Sequence, residues 1–353
     1  MPVRPNVLER LLLFRLNEGP APILDLFGAG AFRAVALAID LGLFEALDGS
    51  DRPLSATALA DSVGAHPDGL RPLLRLLAAT GYVESGSAGY ELTGTTERWL
   101  TTGSETNMAP WFAFWDELVF PFWTEHLETT VREGEPPRSM YEWFDERPER
   151  WELAQRGFRA AATVLVDEIA SKLTVPDDAR TLLDVGGGHG LYAVELCSRH
   201  PNLRATVFDA PAALTVAREE IAATDFADRL RVRAGDYETD ALGERYDVAL
   251  LFNVLHAHDA PECRALFERV AASLGPGGRI AVLDQFADAG GSSLGQTGVG
   301  FVGLTYRVTL GADVHAYEDV RTWLEQSGFE AVTEKTVRRG GPGNSLVEAR
   351  LPS

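Results

Sequence analysis

Short apolar runs and helical segments alternate along the second half of the chain. The runs have the length and β-branched content of buried strands, and each is followed by apolar residues at helical spacing. The predicted strands are Thr181–Val185, Ala205–Asp209, Leu230–Ala234, Tyr246–Asn253, Gly278–Asp284 and Leu346–Leu351. Predicted helices lie between them, at 191–200, 212–224, 261–274 and 317–328. This rhythm predicts an α/β fold built on a Rossmann-like, doubly wound parallel sheet.

The first hundred residues have a different pattern, which is mostly helical. Segments 7–16 and 26–47 predict amphipathic helices, and the second is apolar enough to indicate burial against another subunit. Residues 55–98 predict two helices around a glycine turn, followed by two short alternating strands. That order is typical of a winged helix.

Aromatic residues are concentrated between residues 107 and 158, and a long helix is predicted over 151–172. Such a density of rings is typical of helix packing with a minority of rings facing a small-molecule pocket. We therefore expect three parts: a helical and winged-helix dimerisation domain (1–105), an aromatic-rich substrate-pocket and linker region (106–175), and a cofactor-binding domain (176–353). The glycine-rich stretch 290–303 is predicted to be a flexible lid or loop.

Charge argues against a nucleic-acid partner. The 353 residues contain 32 Lys and Arg against 52 Asp and Glu, a net charge of −20, and such a surface repels phosphate backbones. The second helix of the predicted winged helix carries only Arg71 and Arg75 as cations. A ligand-responsive DNA-binding regulator stays open as an alternative, which a mobility-shift assay would test.

Cysteine usage and the N-terminal sequence predict a cytoplasmic protein. The two cysteines, Cys197 and Cys263, cannot build a disulfide framework or a cysteine-based zinc site. Charged residues interrupt the first twenty positions, which do not have the pattern of a signal peptide. No apolar run is long enough to cross a bilayer, so no membrane partner is expected.

A glycine loop is the clearest chemical signal. Asp184 ends a predicted strand, and Gly186, Gly187, Gly188 and Gly190 follow before a predicted helix. Glycines allow the backbone to approach a ligand closely, and a helix N-terminus offers free N–H groups. The loop lacks the third glycine of the pyrophosphate-binding spacing, and an acid precedes it. This pattern favours S-adenosylmethionine, with Asp184, Gly186 and Gly188 at its amino-acid end.

Further acids follow the next predicted strands. Asp209 ends the second strand about twenty residues beyond the glycine loop, where an acid binds ribose hydroxyls. Asp236 follows the third strand, where it could bind the adenine amine while Tyr237 or Phe252 covers the ring. Because carboxyl ends of parallel strands meet at one edge of a sheet, these side chains are expected to form one site.

Together these motifs resemble the small-molecule O-methyltransferase family of Class I S-adenosylmethionine-dependent methyltransferases, found in plants and in bacterial secondary metabolism. The resemblance covers nearly the whole chain, including the N-terminal dimerisation domain. It rests on Asp184–Gly190, Phe208-Asp209-Ala210-Pro211, Gly235-Asp236, Asn253-Val254-Leu255-His256 and Leu274–Arg279.

The resemblance implies a homodimer that acts on a small aromatic or polycyclic hydroxyl compound. It assigns His256 as the general base that removes the hydroxyl proton, and Asp284 as the acid that orients it. It also implies that Asn253 belongs to the cofactor site.

Three positions depart from the family pattern. Val314 stands where a second acid is expected, His258 where an aromatic residue usually follows the catalytic histidine, and Ala162 where a methionine is common. His256 and His315, near His258 and Asp259, also permit a metal-assisted C-methyltransferase of an α-keto acid as an alternative. No metal is assigned in the preferred interpretation.

Overall fold

The computed structural model describes residues 5–289, 291–339 and 343–353. The chain forms two compact units, Met1–Glu117 and Leu118–Ser353. The three functional parts expected from the sequence stay a prediction.

The N-terminal unit is helical with one small hairpin. Its helices are α1 (Val7–Arg10), α2 (Ile23–Asp40), α3 (Leu43–Asp48), α4 (Ala56–Ser62), α5 (Pro67–Ala79), α6 (Gly94–Leu100) and α7 (Ala109–Phe114), and its strands are β1 (Val83–Gly86) and β2 (Gly89–Leu92). A π-helical turn, Leu11–Arg15, continues α1, and another, Trp115–Val119, follows α7. The predicted helix–turn–helix and hairpin are thus present as α4, α5, β1 and β2.

One predicted helix of this unit is divided. Segment 26–47 was expected to be continuous, but Gly42 adopts φ +69° and separates α2 from α3. Only glycine reaches that conformation without strain, so the chain turns there. The turn brings Phe44 and Leu47 of α3 into the same core as Leu59 of α4 and Leu74 of α5.

The C-terminal unit contains a seven-stranded sheet. Its strands are β3 (Thr181–Val185), β4 (Arg204–Asp209), β5 (Leu230–Ala234), β6 (Tyr246–Phe252), β7 (Leu274–Gln285), β8 (Glu330–Thr336) and β9 (Asn344–Arg350), in the order β5-β4-β3-β6-β7-β9-β8. Its helices are α8 (Phe120–Glu133), α9 (Met140–Asp145), α10 (Pro148–Lys172), α11 (Leu191–Arg199), α12 (Thr215–Ala222), α13 (Ala260–Ser273), α14 (Ser293–Leu310) and α15 (Tyr317–Gln326). Short 3₁₀ turns lie at Ala227–Arg229 and Leu255–Ala257.

The sheet confirms the predicted α/β class and is mostly parallel. β5, β4, β3, β6 and β7 pair in parallel, whereas β9 runs antiparallel between β7 and β8. The last predicted strand, Leu346–Leu351, is therefore present but reversed. Strand β8 was not predicted because its residues are mostly polar and exposed, as an edge strand permits.

The prediction of a glycine-rich loop at 290–303 is wrong over most of that stretch. Helix α14 covers Ser293–Leu310, and Ser292 caps it by accepting a hydrogen bond from the Gly295 N–H at 3.1 Å. Gly290 lies outside the described residues. The sequence does not predict this helix because its glycines lower the intrinsic helix propensity. Packing of α14 against α8 and α9 compensates for that low propensity.

Apolar side chains cover both faces of the sheet. One face packs under α10, α11 and α12, with Leu182, Val207 and Leu250 at its centre. The other packs under α13 and α15, with Leu183, Leu251 and Phe267 fully buried. Within the described ranges, the model has no helix long and apolar enough to cross a membrane.

Candidate active site

The glycine loop between β3 and α11 is held against the end of β4. The Gly186 N–H donates to the Phe208 carbonyl at 2.8 Å, and the Gly188 N–H donates to Asp209 Oδ2 at 2.8 Å. Gly186 and Gly188 have φ values of +66° and +45°. A Cβ on Gly188 would lie 2.4 Å from Gln155 Oε1, so both conformation and space require glycine here.

Asp184 lies directly beneath this loop and is almost fully buried, at 1% exposure. Its Oδ2 has no hydrogen-bond partner in the described part of the chain. Burial, and then the neighbouring charge of Asp209, raise the pKa of the Asp184 carboxyl to about 8. A buried acceptor with no donor is costly, and a cationic ligand group would offset that cost.

Two more buried polar atoms lie unpaired at the same place. Gln155 Oε1 and the Tyr192 hydroxyl have no hydrogen-bond partner among the described residues. Gln155 borders Gly188, and burial, followed by the charge of Asp184, raises the pKa of Tyr192. Together with Asp184 these atoms suit a ligand end that carries an ammonium and a carboxylate, as the methionine part of S-adenosylmethionine does.

Asp209 is placed at the end of β4, as predicted, and is partly engaged within the protein. Its Oδ1 accepts from the Ala210 N–H at 2.7 Å while its Oδ2 holds Gly188. Burial raises its pKa to about 6 in spite of these bonds. The carboxylate thus fixes the loop and stays next to the space above it.

Asp236 caps a local turn. Its carboxylate accepts from the Glu238 N–H at 2.8 Å and from the Thr239 hydroxyl at 2.9 Å, and the residue is exposed. Tyr237, the next residue, points to the loop, since a Cβ on Gly186 would lie 3.6 Å from its Cε1. Its hydroxyl and His258 Nε2 share a hydrogen bond at 3.0 Å.

The two remaining predicted cofactor residues lie where strand β6 ends: Phe252 is its last residue, and Asn253 follows it. Phe252 is buried in the core and packs edge-to-face against Tyr192, with ring centroids 4.9 Å apart. Asn253 is exposed and adopts φ +55°, a conformation that asparagine tolerates better than most residues. Its N–H donates to the Leu283 carbonyl at 2.7 Å, which joins the ends of β6 and β7.

His256 and Asp284 form a buried pair at these two strand ends. His256 Nδ1 lies 2.9 Å from Asp284 Oδ1, and the His256 backbone N–H donates to Asp284 Oδ2 at 3.3 Å. Asp284 Oδ1 also accepts from the Gln285 N–H at 2.9 Å. A carboxylate on Nδ1 selects the tautomer that carries its proton there and leaves a lone pair on Nε2.

Tyr306 and Tyr141 are site residues that the sequence did not reveal. The Tyr306 ring stacks on the His256 imidazole, with centroids 4.0 Å apart and planes at 3°. Burial, and then the charges of Asp209 and Asp284, raise the pKa of Tyr141. Tyr306 follows the stretch 290–303, which the sequence predicts to be a loop. Tyr141 is one of many aromatic residues between positions 107 and 158.

The other histidines do not complete a metal site. His315 Nε2 lies 3.1 Å from the Leu255 carbonyl and 3.0 Å from the His258 carbonyl, contacts that need a proton on that nitrogen. His258 is turned toward Tyr237. In the described ranges, His, Cys, Asp and Glu form no cluster of three that could hold a metal ion. The metal site at His256 and His315 stays a prediction.

Two of the positions that depart from the family pattern are also defined. Ala162 is buried in the core under the sheet, and Val314 is half-buried beside Asp313 on the segment after α14. Arg307 lies 3.4 Å from the Asp313 carboxylate. Neither position places a second carboxylate beside His256.

Comparison with known proteins agrees with this geometry. Residues 125–330 match the O-methyltransferase domain family, and residues 26–102 match the O-methyltransferase dimerisation domain family. The chain is 30% identical over 343 residues to the tetracenomycin polyketide synthesis 8-O-methyltransferase TcmO of Streptomyces glaucescens, covering 95% of this chain and 98% of that protein. It is 28% identical to the mitomycin biosynthesis 6-O-methyltransferase of Streptomyces lavendulae, covering 92% of each.

Solved structures show the same fold. Human N-acetylserotonin methyltransferase in complex with S-adenosylmethionine superposes with a TM-score of 0.82 at 23% identity, covering all of both chains. The mitomycin 7-O-methyltransferase MmcR superposes with a TM-score of 0.79 at 27% identity, covering 92% of this chain and 95% of that one. The predicted family, fold and cofactor are therefore confirmed, and the chain belongs to the S-adenosylmethionine-dependent O-methyltransferases.

Proposed function

We propose that the protein methylates a hydroxyl oxygen of a small aromatic or polycyclic metabolite, with His256 as the general base. The observation that carries this proposal is the 2.9 Å contact between His256 Nδ1 and Asp284 Oδ1 at the ends of β6 and β7. Within the described residues the hydrogen bond of the His256 ring is made by Nδ1 to Asp284, which leaves Nε2 for a substrate hydroxyl.

The bound cofactor supplies an electrophilic methyl group on a positively charged sulfonium. His256 takes the hydroxyl proton at Nε2, which leaves an electron pair of the acceptor oxygen free to form the new bond to carbon. The carbon–sulfur bond of the sulfonium would break at the same step, and its electron pair would stay on sulfur. Asp284 keeps the imidazole in the required tautomer and stabilises the positive charge that the imidazole gains. Burial of both groups excludes water, which strengthens this electrostatic support.

The cofactor would be held by Asp184, Gly186, Gly188 and Asp209 at its amino-acid and ribose parts. The orphaned Asp184 Oδ2 and the glycine cradle support this placement. Asp236, Tyr237, Phe252 and Asn253 are proposed to form the adenine end. Tyr237 has the best support among them because its ring borders Gly186.

The aromatic surroundings and the names of the relatives support the proposed acceptor class. Tyr141 stacks on Trp151 with ring centroids 5.4 Å apart, and Phe144 packs edge-to-face on Trp151 at 5.3 Å. Flat rings offer favourable stacking surfaces to flat ligands. The names of similar proteins specify a tetracenomycin, a mitomycin and a hydroxynaphthoate as acceptors or pathway products.

A homodimer is proposed through the N-terminal unit. Leu8, Phe14, Leu26 and Phe27 are large apolar residues with exposed side chains on α1, the following π-helical turn and α2. Exposed apolar surface of this kind is typical of a subunit interface. The match of residues 26–102 to a dimerisation domain family supports the same partner, a second copy of the chain.

The proposed reaction is tested by replacing the base. Purified protein is incubated with methyl-labelled S-adenosylmethionine and a panel of hydroxynaphthoates and hydroxyanthraquinones, and products are detected by mass spectrometry. We expect a methyl ether from the wild-type protein and a loss of turnover in His256→Ala, with calorimetric affinity for S-adenosylhomocysteine retained. Full turnover in His256→Ala would exclude it as the base, and a product methylated at carbon would exclude O-methylation.

A further inference from the structure

Two neighbouring residues at the end of β7 fix the surroundings of the same imidazole, one at its edge and one at its face. Asp284 contacts the edge of His256 at Nδ1, and Gln285 binds the residue that covers its face. The Tyr306 hydroxyl donates to Gln285 Oε1, and Gln285 Nε2 donates to Asn344 Oδ1 at 2.8 Å. Asn344 pairs with Gln285 across β7 and β9 and is buried. The Tyr306 ring therefore has a fixed place over His256.

The contact between the two rings is parallel and close. Their centroids are 4.0 Å apart and their planes differ by 3°, so the π face of the phenol covers the imidazole. The face of an aromatic ring carries negative electrostatic potential and attracts a cation within about 6 Å of its centroid. A neutral imidazole gains little from that potential, whereas an imidazolium gains more.

We propose that Tyr306 is a positioning residue that stabilises the protonated form of His256 and holds its ring in plane with the acceptor hydroxyl. This inference rests on the proposed role of His256 as base. Proton transfer from the acceptor creates the imidazolium, so stabilisation by Tyr306 acts at the step where the charge forms. In the described ranges the carboxylate that contacts His256 is that of Asp284, at the ring edge, and the Tyr306 ring adds support at the face.

Other charged or titratable groups also face His256. Asp284 contacts it from β7, and His258 lies two residues further along the chain, where its burial disfavours a second positive charge. Tyr141 of α9 is close enough to interact with Asp284 and with Tyr306. Burial raises the pKa of Tyr306 well above its usual value, so the ring stays neutral in the working range. Of these groups, only Tyr306 covers the imidazole face.

The test is a direct titration of His256 by NMR, which needs no acceptor. The seven histidines are labelled with ¹³C at Cε1, and the His256 signal is assigned by its loss in His256→Gln. Removing the ring in Tyr306→Leu should lower the pKa of His256 by roughly half a pH unit. Tyr306→Phe keeps the ring face but loses the hydrogen bond to Gln285, so it should lower this pKa by less than Tyr306→Leu does. Thermal unfolding and S-adenosylhomocysteine binding verify that each variant is folded.

The outcomes separate this inference from the proposed function. An unchanged His256 titration in Tyr306→Leu would overturn the stacking role, even if methylation of a phenol is confirmed. Equal shifts in the Phe and Leu variants would overturn it too, because the hydroxyl rather than the ring face would then be responsible. If His256→Ala stays active while Tyr306→Leu shows the expected shift, the base assignment fails and the electrostatic contact remains.

Discussion

The carboxylate of Asp209 and the backbone N–H of Gly188 meet at 2.8 Å, across the gap between the glycine loop and the end of β4. Asp209, which the sequence predicts to bind ribose hydroxyls, thus also holds the glycine loop in position. The loop is held from the side, because Gly186 and Gly188 donate to Phe208 and Asp209 at the end of β4.

Gly188→Ala should therefore abolish cofactor binding. The added methyl would lie 2.4 Å from Gln155 Oε1 on a backbone with φ +45°, so the loop must move away from Asp209. We expect at least a hundredfold weaker S-adenosylhomocysteine binding by calorimetry, on the order of 3 kcal/mol. Gly69→Ala is the control, since a methyl there meets open space in α5. Unchanged affinity in Gly188→Ala would contradict the proposal that the glycine loop binds the cofactor.

Asp184 should make the cofactor-free protein less stable as the pH rises. Its pKa is raised to about 8 in the fold, so the folded state keeps a proton that the unfolded chain releases near pH 4. This stability is fully present below pH 4 and is lost as the pH rises to about 8. Asp209, with its pKa raised to about 6, acts in the same direction at lower pH.

Between pH 6 and pH 8 the difference between wild type and Asp184→Asn isolates Asp184, because the titration of His189, whose pKa burial lowers to about 3, acts in the opposite direction in both proteins. Over this window the free energy of unfolding should fall by about 2 kcal/mol more in wild type than in Asp184→Asn. Urea unfolding at several pH values measures both slopes. Parallel slopes for the two proteins would show that Asp184 is ionised in the folded state throughout this range.

Asp284→Asn should slow methyl transfer without loosening the cofactor. An amide in place of the carboxylate cannot compensate the charge on His256 and can stabilise the wrong tautomer, so kcat should fall on the order of a hundredfold or more. Steady-state kinetics with the identified acceptor measures this loss. Asp288→Asn is the matched control, because its carboxylate is exposed and accepts from the Tyr317 N–H at 3.2 Å. Equal rates for Asp284→Asn and wild type would remove Asp284 from the mechanism.

Leu26→Asp should convert a dimer into a monomer. The Leu26 side chain is 68% exposed in the single chain and lies on the apolar surface of α2. Placing a carboxylate within a packed interface is strongly unfavourable. Sedimentation velocity should show the wild-type protein at twice the mass of this variant. Val131→Asp changes an equally exposed apolar residue on α8 and should leave the mass unchanged. A monomeric wild type would contradict the proposed assembly.

The pattern of the sequence was sufficient for the sheet and for the positions of its acidic strand ends. Asp184, Asp209, His256 and Asp284 all lie at or just beyond the carboxyl ends of parallel strands, where strand–helix alternation placed them. Such residues are predictable because the chain direction alone decides which edge of the sheet they reach.

Side chains that approach from helices could not be located in this way. Tyr306 reaches His256 only because α14 packs over the strand ends, and its glycines made that helix look like a loop. Gln155 borders Gly188 from within the long helix α10, where its sequence neighbours give no signal of a ligand. These contacts depend on tertiary packing rather than on spacing along the chain.

The reversed direction of β9 has a consequence for how Tyr306 is held. Because β9 is antiparallel to β7, its first residues rather than its last ones meet the end of β7, and Asn344 is thereby joined to Gln285. A chain stopped before Asn344 would contain the glycine loop, His256, Asp284 and Gln285 but would lack the hydrogen bond that holds the Gln285 side chain. The position of Tyr306 over His256 thus depends on a residue 59 positions beyond Gln285.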